Sequence, residues 1–137
     1  MVFIGLNSLL LMAGEDAQAA AFRTIAAHLA PDGLAVVDVL LPDAGDLALY
    51  DGRQLVEWVR TDPETGEQVV KLASARHDAA TATVDLTQVF DASPPDGGPV
   101  RRVIRQDRLR LLTARELALL AEAAGLVVEP DKIAARE

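Results

Sequence analysis

At 137 residues, with 50% hydrophobic and 25% charged positions, the chain has the length and composition of about one globular domain. A formal charge of −8 excludes a general affinity for nucleic acid, which needs a concentrated basic patch that releases counterions. The absence of cysteine excludes disulfides, thiolate metal sites and thiol nucleophiles, and His28 and His77 stand at no ligand spacing from acidic residues, so no metal is expected.

Three Phe, one Tyr and one Trp leave the interior to aliphatic side chains. Residues 2–12 are the only long apolar run. They are too short to span a bilayer, lack basic flanks and contain Asn7 and Ser8, so no membrane partner and a cytoplasmic location are expected. The basic cluster Arg101, Arg102, Arg105, Arg108 and Arg110 falls in a strand-like stretch that divides it between two faces, with Asp107 interrupting it. A solvated strand is the expected result.

In chain order, Val2 to Leu6 is apolar at consecutive positions, as a strand covered on both faces reads, and Asn7 and Ser8 end it. A helix over 15–29 follows: Phe22, Ile25, Ala26 and Leu29 share one face, and Glu15 and Asp16 sit where the helix dipole favours acids. Pro31, Asp32 and Gly33 stop it. Residues 34–41 form a second apolar strand, broken only by Asp38 and closed by Pro42, which completes a parallel strand-helix-strand crossover.

Helical periodicity then disappears. Strands are expected at 55–60 and 68–76 around the turn-rich segment 62–66, at 81–90, and at 100–112 after an irregular loop over 91–99, pairing as a meander. Thr113 and Glu116 spell a capping box for a helix over 114–124, Gly125 supplies the stop, and 126–128 begins a strand that joins the parallel sheet. The expected organisation is a single domain, with 1–42 and 113–129 as an α/β core and 43–112 as an antiparallel insertion.

This order resembles the C-terminal half of class I S-adenosylmethionine (SAM)-dependent methyltransferases, in particular small-molecule enzymes with an antiparallel insertion. The points of resemblance are Asn7-Ser8-Leu9 after the first strand, His28-Leu29-Ala30-Pro31-Asp32-Gly33 for a H-L-x-P-G-G turn, Asp38 late in the next strand, and Leu117 to Leu126. The resemblance implies an α/β fold with a partial Rossmann-like sheet. It also implies a glycine-rich cofactor loop and a ribose-binding acid upstream, yet the nine glycines never form G-x-G after a strand. Residues 129–137 do not resemble the closing hairpin of that fold, so the chain reads as truncated at both ends.

Ligands of doubly wound sheets sit beyond the carboxyl ends of the strands, so Asn7, Ser8 and Asp38 border the expected crevice. The resemblance places Asn7 beside the transferred methyl; Asn7 could equally end its strand by bonding local backbone. Asp38 is either a general base or amine anchor, or a buried acid paired with Arg, because an unpaired carboxylate there costs several kcal/mol. By resemblance Tyr50 and Trp58 lie in the segment that lids the acceptor; packing accounts for them as well. His77 is a candidate base or a surface residue at a hairpin end, and His28 reads as structural.

The expectation is a methyltransferase fragment acting on a small molecule and inactive as an isolated chain, with SAM belonging to the full-length relative and not bound by this chain alone. The alternative is a non-catalytic α+β domain that dimerises or covers a ligand. A homodimer is expected in either case, because strand 2–6 lacks neighbours and an uncovered edge invites pairing.

Overall fold

The computed structural model describes residues 1–12 and 14–129, which divide into two compact units, Met1–Asp43 with the segment from Leu109 onward, and Ala44–Arg108. In the first unit, β1 (Val2–Ile4) and β2 (Ala35–Val37) pair in parallel, with Val2 opposite Ala35 and Ile4 opposite Val37. Between them run a 3-10 turn at Ser8–Leu11 and α1 (Glu15–His28).

The strands are shorter than their apolar runs. Leu6 (φ 55) and Asn7 (φ 61) take left-handed backbone conformations that no strand tolerates, so β1 ends at Ile4 instead of reaching Leu6. β2 likewise occupies only Ala35–Val37 of the run 34–41, since pairing with a three-residue neighbour limits it.

α1 starts with Glu15 and Asp16 in its first turn and closes with the Leu29 N–H donating to the Ile25 carbonyl. Its buried face carries Gln18, Phe22 and Ile25, and α3 (Ala114–Ala123) packs on it. Leu9, Leu10, Leu111, Leu112 and Ala121 complete the buried set of this unit. Each large aliphatic side chain so buried contributes roughly 1.5–3 kcal/mol.

Buried Gln18 is fully engaged. Its Nε2 donates to the carbonyls of Leu9 (3.2 Å) and Arg110 (3.1 Å), and its Oε1 accepts from Arg110 Nη1 at 2.7 Å.

The capping box at the start of α3 is present: Thr113 Oγ1 accepts the Glu116 N–H at 3.1 Å, and the Glu116 carboxylate accepts the Thr113 N–H at 2.7 Å. The helix ends at Ala123, and Gly125 (φ 81) turns the chain away. The strand expected over 126–128 is absent from both sheets of the described residues. Leu126 spends its N–H on the Ala121 carbonyl and Val127 is 92% exposed, so nothing pairs with this segment. The hairpin question at the C-terminus falls on residues 130–137, outside the described residues.

The second unit begins with α2 (Ala44–Leu49), a helix the sequence reading did not anticipate. β3 (Asp51–Thr61), β4 (Gln68–Asp78), β5 (Thr83–Ser93) and β6 (Arg101–Arg110, whose last residues belong to the first unit) follow as the expected meander, in the order β3-β4-β5-β6. The turn between β3 and β4 is built by Asp62, whose Oδ1 accepts the N–H groups of Glu64 (2.8 Å) and Thr65 (3.0 Å), with Gly66 left-handed at φ 72. Those amides hold the Asp62 carboxyl below the usual carboxylate range.

β3 starts four residues ahead of 55, and β5 runs three residues into the segment expected to be irregular. The reason is Asp91, which reads as a turn residue but is gripped on both oxygens by Arg102 of β6 at 2.7 and 2.6 Å. The arginine-rich strand is paired at each position: Arg108 with Asp85, Arg105 with Asp107, Arg101 with Glu67, and Arg110 with Gln18 and Glu116. No helix among the described residues is long and apolar enough to cross a membrane.

Candidate functional site

The carboxyl ends of β1 and β2 lie side by side because the strands are parallel, and the turns that leave them are cross-braced. Asn7 tolerates its left-handed conformation better than most residues because its short amide can bond nearby backbone. Its Oδ1 accepts the N–H of Leu40 at 2.5 Å, while its own N–H donates to the Asp38 carbonyl at 3.2 Å. In return, Asp38 Oδ2 accepts the N–H of Leu6 at 3.3 Å, and the Asp38 N–H donates to the Ile4 carbonyl at 2.7 Å.

Asn7 therefore bonds backbone, as one sequence reading held, but the backbone is 33 residues away and not local. Asp38 is half-buried, so it escapes the full desolvation cost, and the Leu6 amide holds one of its oxygens. Ser8 is exposed, with its Oγ donating to the Gly5 carbonyl at 2.7 Å. The structure thus brings Asn7, Ser8 and Asp38 together. The feature missed from sequence is Leu6, 85% exposed and left-handed, whose N–H donates to Asp38.

Tyr50, Trp58 and His77 belong to the second unit. Tyr50 follows α2, and its carbonyl accepts the N–H of His77 at 2.9 Å, so these two residues are joined through the backbone. Burial, and then the nearby Asp46 carboxylate, push the Tyr50 phenol up, so it remains a hydroxyl donor at neutral pH.

Trp58 packs against Phe90 with centroids 6.3 Å apart and rings tilted 59°, and the Arg60 guanidinium carbon stands 4.8 Å over the indole. Lys71, opposite Trp58, places its Nζ 5.7 Å from the Phe90 centroid and 2.8 Å from Glu57. Trp58, Lys71 and His77 share one sheet face, because Trp58 pairs with Lys71 and His77 stands an even number of positions further along β4. At about 3.3 Å per residue, His77 is roughly 20 Å from Lys71, so the face does not gather His77 and Trp58 into one pocket.

His28 places its Nδ1 2.8 Å from the Thr24 carbonyl, the structural role expected of it. Among the described residues no group of three His, Asp or Glu could hold a metal.

No protein-family model and no curated protein matches the chain. Solved structures do. The CcbJ methyltransferase from Streptomyces caelestis superposes with a TM-score of 0.70 at 26% identity, over 93% of this chain and 50% of that one. SAM-bound CalS10, an amino pentose methyltransferase from Micromonospora echinaspora involved in calicheamicin biosynthesis, gives 0.69 at 18% identity, over 90% of this chain and 49% of that one. The sugar N-methyltransferase KedS8 from a Streptoalloteichus species gives 0.68 at 23% identity, over 90% and 47%.

The chain spans about half the length of these solved methyltransferases and shares its fold with that half. Its likeness to small-molecule, SAM-dependent methyltransferases is thus present in the structure as well as in the order of elements. None of these structures favours the non-catalytic alternative.

Proposed function

We propose that the chain is the acceptor-side portion of a SAM-dependent methyltransferase that methylates an amine on a small molecule of the sugar class. The observation that carries this reading is the brace between Asn7 and Asp38, built at the carboxyl ends of adjacent parallel strands, where such sheets bind ligands. The amino pentose and sugar N-methyltransferase activities of two similar structures favour the amine acceptor.

The residues present do not make a cofactor cradle. The backbone amides of Leu6 and Leu40 at this end of the sheet are spent on Asp38 and Asn7, and no group here is assigned to SAM. We assign SAM to the assembled enzyme, and the isolated chain neither binds it appreciably nor transfers a methyl group.

Toward the acceptor, methyl transfer asks mainly for alignment and for removal of a proton from the amine. The Asp38 carboxylate holds the amine and takes that proton. Asn7 has its Oδ1 committed to Leu40, so its Nδ2 donors face a substrate oxygen, with the exposed Ser8 hydroxyl beside them. In the second unit, Trp58 offers an indole face and Tyr50 a hydroxyl that stays protonated, groups suited to a small polar ligand, while His77, roughly 20 Å along its strand from Lys71, shares no pocket with Trp58.

The test joins this chain to the half of CcbJ that it does not match and assays the product with SAM, an amino sugar and the corresponding hydroxyl sugar. Transfer to the amine, abolished by Asp38→Asn, is expected. Transfer to the hydroxyl sugar alone, or to neither, rejects the reading. Calorimetric titration of the isolated chain with SAM should show no binding tighter than about 10 μM, and tighter binding would place the cofactor site in this chain.

A further inference from the structure

Leu6 breaks two local rules at once. Its backbone is left-handed at φ 55, a conformation that crowds the Cβ of any residue but glycine; its neighbour Asn7, at φ 61, tolerates the same region through its short amide, which leucine lacks. Its side chain is 85% exposed, so burial offsets none of that strain. The turn does contain a glycine, one position earlier. At Gly5 an added Cβ would collide with the Phe3 ring, so that glycine serves close packing and leaves the strained position to leucine.

The strain sits among the polar groups of the candidate site. The Leu6 N–H donates to Asp38 Oδ2 at 3.3 Å, which keeps the Leu6 Cα within about 4.8 Å of that oxygen. Asn7, next in the chain, donates its N–H to the Asp38 carbonyl and accepts the N–H of Leu40. These bonds hold the Leu6 backbone in place while its side chain stands in the open. A strained residue fixed by its surroundings, with no packing in return, is the pattern of a side chain held out for a ligand.

We infer that Leu6 is a specificity-determining residue of the acceptor site, held in its left-handed turn so that its isobutyl group covers an apolar substituent on the carbon next to the acceptor's amine. That the acceptor is an amine held by Asp38 rests on the methyltransferase reading above. The apolar neighbour is argued from Leu6 itself: a hydroxyl pressed against an isobutyl group loses water and gains no hydrogen bond, whereas a methyl group there gains contact. Glycine at position 6 would build the same turn without strain and would discriminate nothing. Strain and selectivity are therefore linked, and relieving the first removes the second.

The test has a stability arm and a selectivity arm. In urea unfolding of this chain, Leu6→Gly and Leu6→Asn, both at ease in a left-handed turn, should raise the midpoint; if neither does, the turn stores no strain and the inference falls. In the joined protein described above, kcat/KM is compared for an amino sugar with a methyl group on the carbon next to its amine and for its hydroxymethyl counterpart. Leu6→Gly should lower the preference for the methyl-bearing acceptor about tenfold, and Leu6→Met, which keeps an apolar side chain, should retain it. A preference unchanged in Leu6→Gly, or a loss shared equally by both acceptors, overturns the inference. If the parent protein methylates neither acceptor, the methyltransferase reading fails, and NMR titration of this chain with isobutylamine and with ethanolamine decides the rest. Shifts of the Leu6 methyl resonances with isobutylamine alone uphold an apolar amine site, and shifts with neither, or with both alike, overturn it.

Discussion

The side-chain oxygen of Asn7 accepts the amide N–H of Leu40 at 2.5 Å, tying the turn after β1 to the segment after β2. Asn7→Ala removes that bond and also forces a Cβ residue without a compensating amide into a left-handed conformation at φ 61. A cost of about 1–3 kcal/mol is expected from the two effects together. Asn7→Gly loses the bond but relaxes the backbone, so it should be the milder change in urea unfolding. An order with Ala equal to or milder than Gly would show that the turn carries no strain.

Gln18→Leu keeps the volume of a fully buried side chain and removes three hydrogen bonds. It strands the carbonyl of Arg110 and one donor of the Arg110 guanidinium, and leaves the Leu9 carbonyl with the Met12 N–H alone. The expected loss is about 2–4 kcal/mol, since buried groups left unmet cost more than the bonds were worth. Denaturant unfolding with an unchanged midpoint would contradict the assignment of Gln18 as the link between α1 and the segment leading into α3.

Thr113→Ala should cost about 1 kcal/mol through the lost cap. The same site gives a pH signature. The Thr113 N–H, then its hydroxyl, stabilise the ionised Glu116 carboxylate, with Arg110 adding to them, so the Glu116 carboxyl sits below the ordinary glutamate range. A depressed folded value means that its stabilisation is present at neutral pH and fades only as the pH falls through that lowered value. Carboxyl chemical shifts followed by NMR should show Glu116 titrating below the ordinary glutamate range, and Thr113→Ala should raise its value. A titration in the ordinary range would remove the box.

Tyr50 is the only tyrosine, so phenolate absorbance reports it alone. Burial raises its folded value first and the Asp46 carboxylate second. The stability tied to it is therefore complete below the ordinary tyrosine value and is lost as the pH rises through the higher folded one. Asp46→Asn should lower the folded value part of the way, and guanidinium unfolding the whole way. A free-tyrosine titration in the native protein would show that the phenol is solvated.

The elements legible in the sequence were those whose signal is local. α1 and α3 declare themselves by one-sided periodicity and by their acids or capping box, and the turn at Asp62 by its side chain. What depended on pairing was not legible. An apolar run such as 34–41 shows that a segment will be covered, but the length of β2 is set by how far β1 runs before Leu6 turns left-handed. Residues 126–128 have strand composition and no partner. α2 was missed because six residues contain too little periodicity to register.

The same division holds at the candidate site. That Asn7, Ser8 and Asp38 lie near one another could be read from sequence because strand ends position them, whereas the surroundings of Leu6, Arg60, Lys71 and Phe90 become visible only through backbone angles or cross-strand register.

The two bidentate pairs on β5 and β6, Asp85 with Arg108 and Asp91 with Arg102, demand the same offset between the strands, six residues forward on one matching six back on the other. A slip of the hairpin would separate all four charges at once, so alignment here is all-or-none. With the offset fixed by side chains in the body of the ladder, the connection through Pro94, Pro95 and the following glycines is relieved of that duty. Its length and composition are free to drift without disturbing how the hairpin closes.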